Sequence, residues 1–84
     1  MTQGIDFERF NLRHLRYFLA VCEAGSFRGA SSALDVAQSA VSRRVADLEE
    51  IFGMRLFERT SRGVALSAAG TALRGSALNI VGEI

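Results

Sequence analysis

The 84 residues contain no lysine and no proline, and only one cysteine and one histidine. A single Cys22 excludes an intrachain disulfide, and neither it nor His14 has the clustered neighbours that a zinc site needs. No stretch approaches the roughly 18 apolar residues of a membrane span. The opening run from Met1 to Phe10 lacks the basic start and apolar core of a secretion signal, so the expected location is the cytoplasm. A formal net charge of +1 is too small to argue for a nucleic-acid partner, which leaves that case to the placement of individual charges. All ten basic residues are arginine, a forked donor suited to phosphate and guanine. A GC-rich genome produces the same bias, and we rank that explanation first. No internal repeat, low-complexity tract or linker divides the chain, and its length accommodates one small domain.

What is present is globular in composition, with 49% hydrophobic and 23% charged residues. Leu12, Leu15, Phe18, Leu19 and Cys22 recur at three- and four-residue intervals and predict a first helix, with Asn11 as its cap and Gly25 as its left-handed stop. Ser26 opens a second helix that turns Phe27, Ala30 and Leu34 inward. After the short turn Asp35-Val36-Ala37, a third helix is predicted from about Gln38 to Phe52. Its inner face is Val41, Val45, Leu48 and Phe52; Gly53 ends it, and Met54 is expected to pack back on Leu48.

Two short apolar segments, Leu56-Phe57 and Val64-Ala65-Leu66, flank the polar stretch Glu58 to Gly63 and read as a hairpin. Ser67 then caps a fourth helix with a stripe of Ala69, Leu73, Ala77, Ile80 and Ile84. That helix also holds Gly70, Gly75 and Gly82, each costing roughly 1 kcal/mol relative to alanine. The pattern is still running at Ile84, and the sequence is expected to continue beyond it.

Two helices joined by a short turn and followed by a strand-loop-strand make a winged helix-turn-helix. The fold class is therefore mainly α: three helices and a two-stranded wing over residues 11–66, then a long linker helix from residue 67. Residues 1–10 form an extension with no assigned role. Gln38, Ser39, Ser42 and Arg43 share one face near the start of the third helix, away from its apolar face. Glutamine suits adenine, arginine suits guanine, and serine serves a base edge or a phosphate. Farther along, Asp47, Glu49 and Glu50 would repel a backbone, so the contact zone is expected to stop near Arg44. The hairpin loop offers Arg59, Thr60, Ser61 and Arg62 for backbone or minor groove. Ser26 and Arg28, at the start of the second helix, complete the candidate set.

The motifs Leu12 to Val21, Gly25-Ser26-Phe27, Gln38 to Arg43, Leu48-Glu49, Arg55 to Thr60, Leu66-Ser67 and Ala69-Gly70 together resemble the N-terminal domain of LysR-type regulators. The resemblance covers about residues 11–84. It implies a transcription regulator that binds a partly palindromic site on double-stranded DNA as a homodimer. It also implies a third helix in the major groove, a wing on the neighbouring minor groove, and a fourth helix that pairs with a second copy. A small-molecule effector would be sensed by a C-terminal domain beyond these residues; no cofactor is expected within them. The sequence departs from the family pattern at Ala37, where a hydroxyl cap is usual, at Ser39, where proline is frequent, and at Arg44, where glutamine is frequent.

Two other classes were weighed. A winged helix that docks a protein partner is the alternative, supported by the low net charge and the Asp47-Glu49-Glu50 edge. An enzyme is not expected: no paired carboxylates, nucleophile-base arrangement or phosphate loop is present. His14, beside Arg13 and Arg16, is expected to be a surface or partly packed histidine, and Cys22 a small apolar residue of the core stripe.

Overall fold

Local hydrogen-bonding devices set most of the helix ends, and with them the architecture. The computed structural model describes residues 10–82. Asn11 caps α1 (Leu12–Ala24) by accepting from the His14 amide, while the His14 side chain accepts from the Asn11 amide. This is a capping box with histidine where glutamate or glutamine is usual. Gly25, at φ 76, turns the chain out of α1. Ser26 caps α2 (Phe27–Leu34) through the Gly29 amide at 2.9 Å, and α2 ends at Asp35, which adopts the left-handed conformation at φ 58. The third helix, α3, runs Gln38–Phe52 and stops at Gly53.

Beyond it lie β1 (Phe57–Thr60) and β2 (Gly63–Leu66), an antiparallel pair in which Phe57 faces Leu66 and Thr60 faces Gly63. The last element, α4 (Ala68–Gly82), starts from Ser67, whose hydroxyl accepts from the Gly70 amide and donates to the Arg55 carbonyl. The predicted loop of the hairpin was too long. Glu58, Arg59 and Thr60 belong to β1, and only Ser61 and Arg62 form the turn.

Leu15, Phe18 and Val21 from α1, Ala30 from α2, and Val41, Val45, Leu48 and Ile51 from α3 are buried, together with Leu56 and Phe57 at the root of the wing. Complete burial of a Leu or Phe side chain contributes about 1.5–3 kcal/mol, so this small set supplies most of the driving force. Val21 and Ile51 replace Leu12, Leu19, Cys22 and Phe52 as the deepest members, those four being half-buried. Met54 is 53% exposed, and its amide donates to the Glu49 carbonyl at the end of α3. Burial pushes the Cys22 thiol up to about 11, against a weaker opposing pull from Arg74, so it is protonated and behaves as an apolar group.

His14 departs furthest from expectation. It is only 4% exposed, lies parallel to the Phe10 ring with centroids 6.3 Å apart, and has Nε2 3.9 Å from Asp47 on α3. Phe10 also meets Phe52 edge-on at 5.8 Å. The final residue of the N-terminal extension thus packs on the domain.

The stripe on α4 has a partner inside the chain. Ala77 is fully buried, and Ala69 and Leu73 pack against the core, with α4 lying along α1. Ala77 is thus closed to a second copy, whereas Ala69 and Leu73 are only half-buried and line an open cleft with Phe52, Met54 and Ala72. Ile80 is 48% exposed and Leu78, outside the stripe, 46%; Ile84 lies outside the described residues.

Candidate nucleic-acid interface

With Val41, Val45, Leu48 and Ile51 in the core, α3 leaves Gln38, Ser39 and Arg43 exposed and Ser42 half-buried. The four expected contact residues thus share the outer side of its first turns. Ala37 makes no side-chain cap hydrogen bond, so the first turn of α3 meets its surroundings through its own amides and the positive end of the helix dipole.

The flanks of α3 differ from the sequence reading. Arg44 is half-buried, with its guanidinium 5.8 Å from the centroid of the Tyr17 ring on α1. It stands between helices rather than beside Arg43. On the other flank, Glu49 is not a free acid: its Oε2 accepts from the amides of Leu56 at 2.8 Å and Phe57 at 3.3 Å. That carboxylate ties the start of β1 to α3. Asp47 faces His14, so Asp47 and Glu49, both expected to repel DNA, have structural partners.

The wing is attached at a second point. The Val64 amide donates to the Gly25 carbonyl at 3.1 Å, joining β2 to the turn between α1 and α2. Gly63 permits this approach, since a Cβ there would stand 2.4 Å from that carbonyl oxygen. Phe27 meets Phe57 edge-on at 6.1 Å, and Arg59 lies over the Phe27 ring at 5.9 Å. Ser26 and Arg28 therefore stand beside the wing, Arg28 exposed and Ser26 half-buried with its hydroxyl already accepting from Gly29.

At the tip, Ser61 and Arg62 are exposed, and the Arg62 amide donates to the Thr60 hydroxyl. Arg59 is on β1, nearer α3 than the tip. Arg28, Arg43, Arg55, Arg59 and Arg62 have no ion pair among the described residues.

Sequence reasoning missed Glu49, Gly25, Gly63 and Arg55 as organisers or members of this surface. Glu49 sat inside a recognised Leu48-Glu49 motif, but nothing local reveals that its carboxylate accepts from the amides of Leu56 and Phe57.

The model of the family described as bacterial regulatory helix-turn-helix protein, lysR family, matches residues 12–71. The chain belongs to the lysR family. The transcriptional regulator TfdT of Cupriavidus pinatubonensis is 48% identical over 59 residues, covering 70% of this chain and 26% of that protein. ClcR of Pseudomonas putida is 49% identical over 59 residues, which is 20% of its length. Among solved structures, BenM_DBD in complex with catB site 1 DNA superposes with a TM-score of 0.85 at 40% identity, over 88% of this chain and 83% of that one. CbnR, a LysR family transcriptional regulator, gives 0.84 at 40% identity over 87% of this chain and 25% of that one. This lysR-family chain therefore spans about a quarter of the length of such curated relatives. Among its described residues no helix is long and apolar enough to cross a membrane.

Proposed function

We propose that the chain is the DNA-binding part of a transcription regulator, placing α3 in a major groove and the wing tip on the neighbouring minor groove. The observation that carries this reading is the arrangement of unpaired arginines and short polar side chains: Gln38, Ser39 and Arg43 on α3, with Ser61 and Arg62 at the wing tip. The fold is one that BenM_DBD presents in its complex with DNA. Binding duplexes selected from a random library tests the proposal and reports the half-site and its symmetry.

On the selected duplex, Arg43→Ala should lose about 2 kcal/mol of discrimination between selected and random sequence, the scale of one bidentate base contact. Gln38→Ala should act in the same direction. Equal loss on both duplexes would remove these side chains from base readout.

We infer further that two copies bind together, through the side of α4 that carries Ala69, Leu73 and Ile80, which the single chain leaves half-buried or exposed. Ile80, seven residues after Leu73 and so on the same side of the helix, is a large apolar side chain left 48% exposed. A two-fold pair would set two α3 helices about one duplex turn, or a multiple of it, apart. Ile80→Glu should shift the sedimenting species from dimer to monomer and weaken binding to a palindrome far more than to a half-site. A wild-type chain that stays monomeric on a palindromic duplex contradicts this assembly. The small-molecule effector implied by the family belongs, on this reading, to a C-terminal domain outside these residues, and the regulator works in the cytoplasm.

A further inference from the structure

Between α3 and the wing runs a cleft of about 280 Å³, whose lining includes Phe27, Ser42, Ala46, Glu49, Arg55 and Arg59. We propose that this cleft holds a phosphodiester of the bound duplex, with Arg55 and Arg59 as its cations and the Ser42 hydroxyl beside them. The proposal rests on the DNA-binding reading above and deepens it.

The argument begins with the duplex. Its major and minor grooves are separated by a sugar-phosphate strand, so two elements seated in adjacent grooves straddle that strand. Whatever lines the seam between α3 and the wing therefore faces phosphate rather than base. In this chain the seam contains two arginines. Arg55 lies two residues before Phe57 and Arg59 two residues after it, and both line the cleft that Phe57 also borders. Phe57 is buried and anchors the strand, which fixes the backbone from which both arginines spring.

Both side chains are exposed, and neither has an ion pair among the described residues. Arg59 is steadied over the Phe27 ring without losing its charge. The acid in the same cleft, Glu49, has Oε2 engaged by the amides of Leu56 and Phe57 and makes no ion pair with either arginine among the described residues, so its charge offsets their field only in part. Arg55 was absent from the candidate set drawn from the sequence; its position in the seam is a tertiary fact.

The test uses the chain with a selected duplex, alongside Arg55→Ala, Arg55→Lys and Arg62→Ala. Affinity is measured against salt, and again on duplexes carrying one neutral methylphosphonate linkage at successive positions. Arg55→Ala should flatten the slope of log K against log salt by about 0.9 per half-site, the value for one phosphate contact, and Arg55→Lys should restore it. The linkage on the strand between the two grooves should weaken the wild type more than Arg55→Ala, in which Arg59 alone remains to meet that phosphate. Arg62→Ala should keep its sensitivity there and lose it at a linkage nearer the wing tip. An Arg55→Ala variant with the wild-type slope and the wild-type methylphosphonate profile overturns the proposal while leaving the DNA-binding reading intact. A wild type that binds no duplex overturns both. Unchanged thermal midpoints are expected, because Arg55 is an exposed side chain.

Discussion

Gly70→Ala is expected to destabilise the domain by about 3 kcal/mol, the upper range for forcing atoms into a packed interior, whereas Gly75→Ala, five residues on in the same helix, should stabilise it. By intrinsic helix propensity the two substitutions are identical and favourable, by up to about 1 kcal/mol each. Tertiary surroundings separate them. A Cβ at Gly70 would stand 2.2 Å from the Leu56 carbonyl oxygen and 2.9 Å from the Leu66 Cδ2, so α4 must lift from the root of the wing to admit it. That carbonyl also accepts from the Ser67 amide, which leads into the helix. Lifting α4 also disturbs Leu73 and Ala77, which pack inside the chain. At Gly75 a Cβ meets nothing within 4 Å. Urea unfolding checks this: the midpoint should fall for Gly70→Ala and rise for Gly75→Ala. A common direction for both would mean that α4 does not lie as described.

Glu49→Ala should cost about 2–3 kcal/mol, the range for removing a charged acceptor from amides that are not fully open to water. Its Oε2 serves Leu56 and Phe57 together, at the place where the chain leaves α3 and becomes the wing. Without it, two part-buried amides lose their acceptor and the hairpin loses one of its two fixed points, the other being the Val64 amide on Gly25. Glu49→Gln keeps a neutral acceptor and should fall between wild type and Glu49→Ala. Hydrogen exchange at the two amides discriminates this clamp from a general loss of stability, since their protection should drop more than that of the α1 core. Affinity for duplex should also fall, although removing an acid by itself favours phosphate binding. Tighter DNA binding by Glu49→Ala would show that Glu49 acts as a repelling charge and not as a positioning group.

The ends of α1, α2 and α3 were legible because their determinants are local. Asn11 and Ser26 each accept an amide within three residues, and Gly25 and Gly53 supply the left-handed conformation that ends a helix. The outer side of α3 was legible for a related reason: once Val41, Val45 and Leu48 go inward, the helical repeat leaves little choice for Gln38, Ser39 and Arg43. The hairpin was read less well, since strands of four residues carry too short an alternation to separate Glu58 and Arg59 from a loop.

Polar side chains whose partners lie far along the chain were not legible. His14 looked like a surface residue among arginines, yet it is buried against Phe10 and faces Asp47 of another helix. Arg44 looked like a fully solvated end of the contact face, and its guanidinium stands over the Tyr17 ring of another helix. Ala77 on the α4 stripe looked free for a second copy because the period of the stripe is visible in the sequence and the packing of α4 along α1 is not.

By itself the sequence determined which elements form, where the helices stop, and which face of α3 is polar, because these follow from backbone conformation, capping groups and hydrophobic period over a few residues. Only the tertiary structure decided which of the charged side chains are held by partners within the chain and which arginines of the α3-wing seam have no ion pair among the described residues. That choice depends on groups brought together from distant parts of the chain, and no local hydrogen bond or periodicity encodes it.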